Sequence, residues 1–419
     1  MRRREALGAV LAGPLMLGAC AGRAPNGTIR FWAMSNEAAS APMLMPGFER
    51  ANPGLRVDIQ PLPWSAAHEK LLTGFAGNSL PDVAQIGNTW LAELVAIGAL
   101  APLPANEQAL FADNFDAVLD TNRIGGTPYA VPWYVDTRLQ YYRTDLFQRA
   151  GYESPPTDWA AWKAALRDVK RAAGEGNFAI LLPLNEFEQL LTLGLQQDEP
   201  LLRDKGTRGN FSSPGFKAAL GFYKSLFDEG LAPVVSSTQI ANVWNEFARG
   251  LFSVYISGPW TIGDLKTRLP ASFRTRWATA AMPGPHGPGA SAPGGSSLVV
   301  FAHAREPDAA WRLVRHLSQP TVQAEFNRLT GDLPARRSAW ALAGLTRDPL
   351  TAPFGAQLER ARAVPKVPEW ERIVTEMQVV AERMVRGDFS VDEAAAEIDA
   401  RADRLLEKRR WLTDKGRAL

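Results

Sequence analysis

The first hundred residues switch between two periodicities, and that alternation narrows the folds open to the chain. Thr28-Ile29-Arg30-Phe31-Trp32 alternates with a period of two, and so does Leu55-Arg56-Val57-Asp58-Ile59 after the turn-forming Asn52-Pro53-Gly54. Asp82-Val83-Ala84-Gln85-Ile86 reads as a third strand, with helices around 36–51 and 65–77 between the three. Strands joined by crossing helices pair in parallel within one sheet, so the opening is a βαβαβ unit of an α/β protein.

The rest of the chain keeps the alternation. Further strands are expected at 129–134, 138–142, 251–257 and 297–302. Ser213-Pro214 caps a helix whose apolar face carries Phe216, Ala219, Leu220, Tyr223, Leu226 and Phe227 before Gly230 stops it. Trp159, Trp162, Leu166 and Val169 form a similar stripe, and Ser390 with Glu393 makes a capping box for the last long helix. The Gly/Pro-rich stretch 283–295 lies between two strand patterns, where a chain can cross between domains. With 419 residues, two or three domains are expected on length alone.

The amino terminus carries an export signal rather than a piece of the fold. Arg2, Arg3 and Arg4 precede an apolar run from Ala6 to Met16, too short for a membrane span of about 20 residues, so 1–19 read as a signal peptide. The single Cys of the chain, Cys20, follows Leu17-Gly18-Ala19, which resembles the lipobox of bacterial lipoproteins. That resemblance implies a lipidated Cys20 at the mature N-terminus, a tether over 20–27, and a membrane-anchored protein outside the cytoplasm. An ordinary secretory cleavage beside an incidental Cys is the competing reading. One Cys also excludes an internal disulfide or a multi-thiolate metal site.

Charge and motifs exclude other classes. Lys and Arg total 46 against 44 Asp and Glu, a balance that argues against nucleic acid as the main partner. The four His show no metal-binding spacing, no phosphate-binding loop is present, and no Gly-x-Ser-x-Gly elbow occurs. No cofactor and no metal are expected.

Several segments then resemble one family in the right order. They are Phe48-Glu49-Arg50-Ala51-Asn52-Pro53-Gly54, Leu80-Pro81-Asp82-Val83, Gly126-Thr127-Pro128-Tyr129-Ala130-Val131-Pro132, Ser257-Gly258-Pro259-Trp260 and Gly331-Asp332-Leu333-Pro334-Ala335-Arg336. Together the chain is similar to family 1 extracellular solute-binding proteins, the sugar-binding lipoproteins of ABC importers. The resemblance implies a two-lobed, periplasmic-binding-protein-like α/β fold with a hinge and a ligand cleft. Lobe one is expected over 28–135 plus 293–343, and lobe two over 136–292 plus 344–412. It also implies a monomer that binds a carbohydrate and hands it to permease subunits, with α-glucosides the expected class.

A sugar needs flat aromatic platforms for its C–H faces and polar groups for its rim of hydroxyls, and thirteen Trp invite that reading. Trp260 follows a strand end and is the platform that the resemblance favours. Asn88 and Trp90 lie beyond the carboxyl end of the third strand, where open α/β sheets hold ligands. Trp133, Tyr134 and Asp136 mark the first crossover, and Asp136 matches a family carboxylate that accepts from sugar hydroxyls. Asn36 (beside Ser35), Trp64 and Glu69 stand on loops that reach the ligand in relatives, and Glu186 corresponds loosely to a lobe-two contact loop. Gly295 with Gly294 could let backbone amides approach the sugar. Arg336 is a candidate to reach the cleft, and Trp370 begins a late helix that borders it in some relatives; each of these could equally be core or surface. Trp159, Trp162 and Trp311 sit on helical stripes and are read as core. Two alternatives remain at this point: an exported glycoside hydrolase, since platforms and carboxylates look alike there, and a binder of a glycerol phosphate-type ligand through Arg336 and Arg337.

Overall fold

The computed structural model describes residues 27–416; the expected signal peptide, Cys20 and nearly all of the tether lie outside them. Ten strands build two sheets. They are β1 (Thr28–Met34), β2 (Arg56–Leu62), β3 (Val83–Gly87), β4 (Val131–Thr137), β5 (Leu139–Arg143), β6 (Phe178–Leu181), β7 (Phe252–Ser257), β8 (Trp277–Ala280), β9 (Pro293–Val300) and β10 (Leu333–Pro334). The first sheet has the order β10-β4-β9-β3-β1-β2 and the second β8-β5-β7-β6. The βαβαβ opening is seen as expected: β1 pairs in parallel with both β2 and β3. β9 then runs antiparallel to β3 and to β4. The chain is therefore a two-lobed α/β protein, one sheet to each lobe.

Apolar burial explains why each sheet holds its own lobe. Every residue of β4 is buried, because β9 and β10 flank it and helices cover its faces. Trp133 lies fully buried there, edge-on to Phe31 with ring centroids 5.8 Å apart and stacked on Phe326 at 4.4 Å. The helices Pro307–Leu317 and Pro320–Thr330 close this core with Trp311, Leu313, Val314 and Phe326. In the second lobe Trp162, Leu166, Phe216, Leu220 and Tyr223 meet Trp370, Met377 and Ile398 from the C-terminal helices. Trp159, Trp162 and Trp311 are core residues, as their spacing suggests.

Some boundaries differ from the sequence reading, each for a local reason. The helix expected over 36–51 is broken into Ser35–Ser40, a tight turn Ala41–Leu44 and Met45–Ala51, since Pro42 and Pro46 interrupt the backbone ladder. β9 starts at Pro293 rather than 297, so three residues that read as loop are paired with β4 instead. β6 and β8, four-residue runs without alternation, were not distinguishable from loop by pattern. β4 runs on to Thr137 in the first sheet, so the expected lobe boundary after 135 cuts through a strand.

Only Arg138 separates β4 of the first sheet from β5 of the second. The chain crosses again through 281–292 and a third time beyond β10. Replacing Trp133 with Ala should lower the free energy of unfolding by about 3–5 kcal/mol, because a large ring leaves a well-packed layer. Chemical denaturation of the variant checks this.

Candidate functional site

The carboxyl ends of β1, β2 and β3 all point to one edge of the first sheet, because parallel strands end together. A cleft of about 660 Å³ opens at that edge, and the second lobe forms its other wall. Ser35, directly after β1, holds a left-handed backbone (φ 38°), which turns Asn36 and Glu37 along the cleft wall.

The aromatic part has two halves. From the first lobe, Trp64 and Trp90 meet edge to face at 5.5 Å, and His68 stacks behind Trp90 at 5.0 Å while its Nε2 lies 2.9 Å from Glu93. From the second lobe come Trp260 and the buried Trp370. Trp260 opens the helix Trp260–Arg268 and keeps 39% of its surface exposed. Its ring lies over the Gly258 backbone: a Cβ there would sit 2.2 Å from the indole.

The polar floor belongs to β4 and its neighbours. The Tyr134 hydroxyl donates to Glu37 Oε1 at 2.6 Å, and Gln85 Nε2 reaches both Glu37 and Tyr134 at 3.3 Å. Burial, with Asp332 and Glu37 nearby, pushes the Tyr134 phenol well above its ordinary range, so it stays a donor. Arg138 Nη1 donates to Asp136 Oδ1 at 2.9 Å, its Nη2 lies 3.5 Å from Glu188, and the guanidinium covers the Trp260 ring at 4.9 Å. Burial raises the Asp136 carboxyl despite Arg138, which works the other way. Asp332, at the mouth of β10, is raised to about 8 by burial, then by Glu37, with a hydrogen bond from Thr330 opposing.

Two glycines make room for this floor. Gly294 pairs with Asp136 across β9 and β4, and a Cβ on it would fall 2.1 Å from Asp136 Oδ1. Gly295 has φ 103° and a Cβ there would strike the Tyr134 carbonyl at 2.4 Å. Asn88 fastens the same strand by donating to the Gly294 carbonyl at 3.1 Å and accepting from Ser297 at 2.8 Å.

Of the residues singled out by sequence, Trp260, Asp136, Asn88, Trp90, Tyr134, Trp64, Asn36 and Gly295 line this cleft, as do Ser35, Gly294 and Trp370. Four do not. Trp133 alternates with Tyr134 and Asp136 along β4 and so points away, into the core. Glu69 is on the exposed face of the helix Trp64–Ala76. Glu186 borders a separate pocket of about 310 Å³ with Trp244 and Tyr255. Arg336 turns outward to the carbonyls of Ala112 and Ala109 at 3.3 and 3.4 Å.

Sequence reading missed Glu37, Arg138, Phe187, Glu188 and Asp332, all of which line the cleft. Period-two alternation from Tyr134 through Asp136 would have reached Arg138. Phe187 and Glu188 lie one and two residues past the chosen Glu186. Asp332 stands in a segment that carries the family resemblance, but an Asp after a helix-ending Gly reads as a turn and was not singled out. Among the described residues no group of three His, Cys, Asp or Glu is placed to hold a metal ion, and no helix is long and apolar enough to cross a membrane.

Known proteins share this fold. The sequence profile of bacterial extracellular solute-binding proteins matches residues 44–353. The sugar-binding protein MalE from the phytopathogen Xanthomonas citri is similar in structure with a TM-score of 0.89 and 51% sequence identity, over 92% of this chain and 99% of that one. The GacH receptor of Streptomyces glaucescens, studied unliganded and with acarbose, gives a TM-score of 0.78 at 26% identity, over 91% and 98%. A putative binding protein of Brucella abortus is 28% identical over 412 residues, 95% of this chain and 98% of that protein. With the profile spanning most of the chain and the two-lobed fold in place, this protein belongs to the bacterial extracellular solute-binding protein family.

Proposed function

We propose that the chain captures a neutral di- or oligosaccharide of the α-glucoside class in its cleft and delivers it to the permease of an ABC importer. The carrying observation is the pairing of an exposed indole, Trp260, with a floor of carboxyl groups at Asp136 and Glu37. A pyranose needs both at once: a flat apolar surface for its C–H face and acceptors for its hydroxyls. The sugar-binding MalE protein of Xanthomonas citri and the acarbose-binding GacH receptor support the same substrate class. We take the protein to act as a monomer, with closure about the crossing at Arg138 bringing both walls onto the ligand.

The charge of the cleft favours an uncharged ligand. Among the described residues its lining holds five carboxyl groups, Glu37, Asp136, Glu188, Asp332 and Glu371, and one cation, Arg138, which Asp136 and Glu188 already engage. The phosphate-binding alternative drew on Arg336 and Arg337; Arg337 is paired with Glu359, and neither lines the cleft. The hydrolase alternative would need a free carboxylate as nucleophile or base, and Asp136 is instead tied by Arg138.

Calorimetric titration with maltose, trehalose, sucrose and maltotriose tests the reading; failure of all four to bind would overturn it. Trp260→Ala should weaken the binding of whichever sugar is held by about 1–3 kcal/mol through lost apolar contact. Unchanged affinity would remove Trp260 from the site. Turnover of chromogenic glycosides by the purified protein, lost in Asp136→Asn, would replace the binding reading with a hydrolytic one. We also propose that Cys20 carries the lipid anchor outside the cytoplasmic membrane: palmitate should label the wild-type protein and not Cys20→Ser, and globomycin should block processing.

A further inference from the structure

Asp332 stands apart among the acids of the cleft. Glu37 is occupied by Tyr134 and Gln85, Asp136 and Glu188 share Arg138, and Glu371 is half-buried at the start of its helix. Asp332 is 91% buried and, among the described residues, lies within ion-pair distance of no Lys, Arg or His. Its backbone is held on both sides, since its N–H donates to Thr330 Oγ1 at 3.0 Å and its carbonyl accepts from Asn327 Nδ2 at 2.8 Å. The side chain is therefore set in the cleft wall by the end of the helix Pro320–Thr330 rather than by a partner of opposite charge.

Of the groups around it, Glu37 and Asp136 discourage a negative charge, and the Thr330 hydrogen bond opposes them only in part. Glu37 faces it from the helix after β1, Asp136 and Tyr134 from β4, and the Thr330 hydroxyl from its own helix end. Arg138 is committed to Asp136 and Glu188. Loss of water and two like charges both favour keeping the proton, in line with a carboxyl raised to about 8. Such a group is a donor, whereas a carboxylate only accepts. Sugar hydroxyls can satisfy an acceptor, but ring and glycosidic ether oxygens accept only and require a donor from the protein.

We propose that Asp332 is a specificity-determining, ligand-contacting residue that holds its carboxyl group in the protonated form and donates its O–H to an acceptor oxygen of the saccharide. The inference rests on the saccharide reading above. It makes capture depend on pH in one direction. The ligand binds the protonated form, so affinity is level at pH values where that form dominates and falls as rising pH removes the proton.

The test is calorimetry from pH 6.0 to 9.5 with the tightest-binding of maltose, trehalose, sucrose and maltotriose at pH 6.5. Wild-type affinity should be level to about pH 7.5 and then fall toward about tenfold per pH unit above pH 8. Asp332→Asn keeps a donor that cannot ionise; it should lose a few-fold at pH 6.5 yet show a flat profile. Asp332→Ala should be flat as well but weaker by about five- to tenfold, the worth of one hydrogen bond. A flat wild-type profile, or an Asn variant that retains the alkaline decline, overturns this inference while leaving saccharide binding intact. Absence of binding by every probe at pH 6.5 instead overturns the saccharide reading, and this inference with it.

Discussion

A single residue, Arg138, is all that separates the two sheets at their first crossing, and its guanidinium engages both walls of the cleft. It holds Asp136 of β4 at 2.9 Å, approaches Glu188 of the second lobe at 3.5 Å and covers the Trp260 ring. The spacing of the lobes and the placing of the polar floor are thus one problem with one solution. A buried ion pair of this kind adds little net stability, because desolvation offsets much of the attraction. Its effect is on geometry: one carboxylate oxygen and one indole face are held at fixed positions relative to each other before a ligand arrives.

That geometry depends on backbone as much as on side chains. Asp136 can lie flat against β9 only because Gly294 has no Cβ, and Gly295 adopts a conformation that other residues rarely reach. Asn88 then pins the same strand from the carboxyl end of β3. The packing behind it supplies the stiffness. Trp133, between Phe31 and Phe326, fixes β4 from the side opposite Tyr134 and Asp136, so the strand cannot shift without disturbing the core.

Much of this was legible in the sequence, for physical reasons that also mark its limits. Alternation read β1 and β2 directly, and β4 was expected as a strand over 129–134 without it, its residues being buried throughout. It could not read Pro293-Gly294-Gly295 as strand, because local propensity there says turn and only pairing with β4 overrides it. In the site, residues at strand ends were placed well: Asn36, Asn88, Trp90, Asp136 and Trp260 all line the cleft. The failures were of direction rather than of region. Trp133 is one residue out of phase with Tyr134 and faces the core, and Glu186 lies two residues before Glu188, enough to carry it to a different pocket. Asp332 and Arg138 draw their character from contacts far along the chain, which no local pattern contains.

The near-neutral balance of the whole chain conceals a lopsided cleft. Five lining carboxyl groups face one guanidinium, and buried carboxylates are costly unless something compensates them. The cleft meets that requirement in more than one way. Hydrogen bonds from Tyr134 and Gln85 serve Glu37, and an ion pair serves Asp136 and Glu188. Among the described residues Asp332 has no ion pair and only the Thr330 hydroxyl beside it, and retention of a proton supplies the rest of the compensation. An anionic ligand would have to enter against Glu37, Asp136 and Glu188, and among the described residues the lining has no free cation to receive it. A neutral, hydroxyl-rich ligand meets no such opposition, and closure of the lobes, by excluding water, would strengthen each of its hydrogen bonds to these same acids.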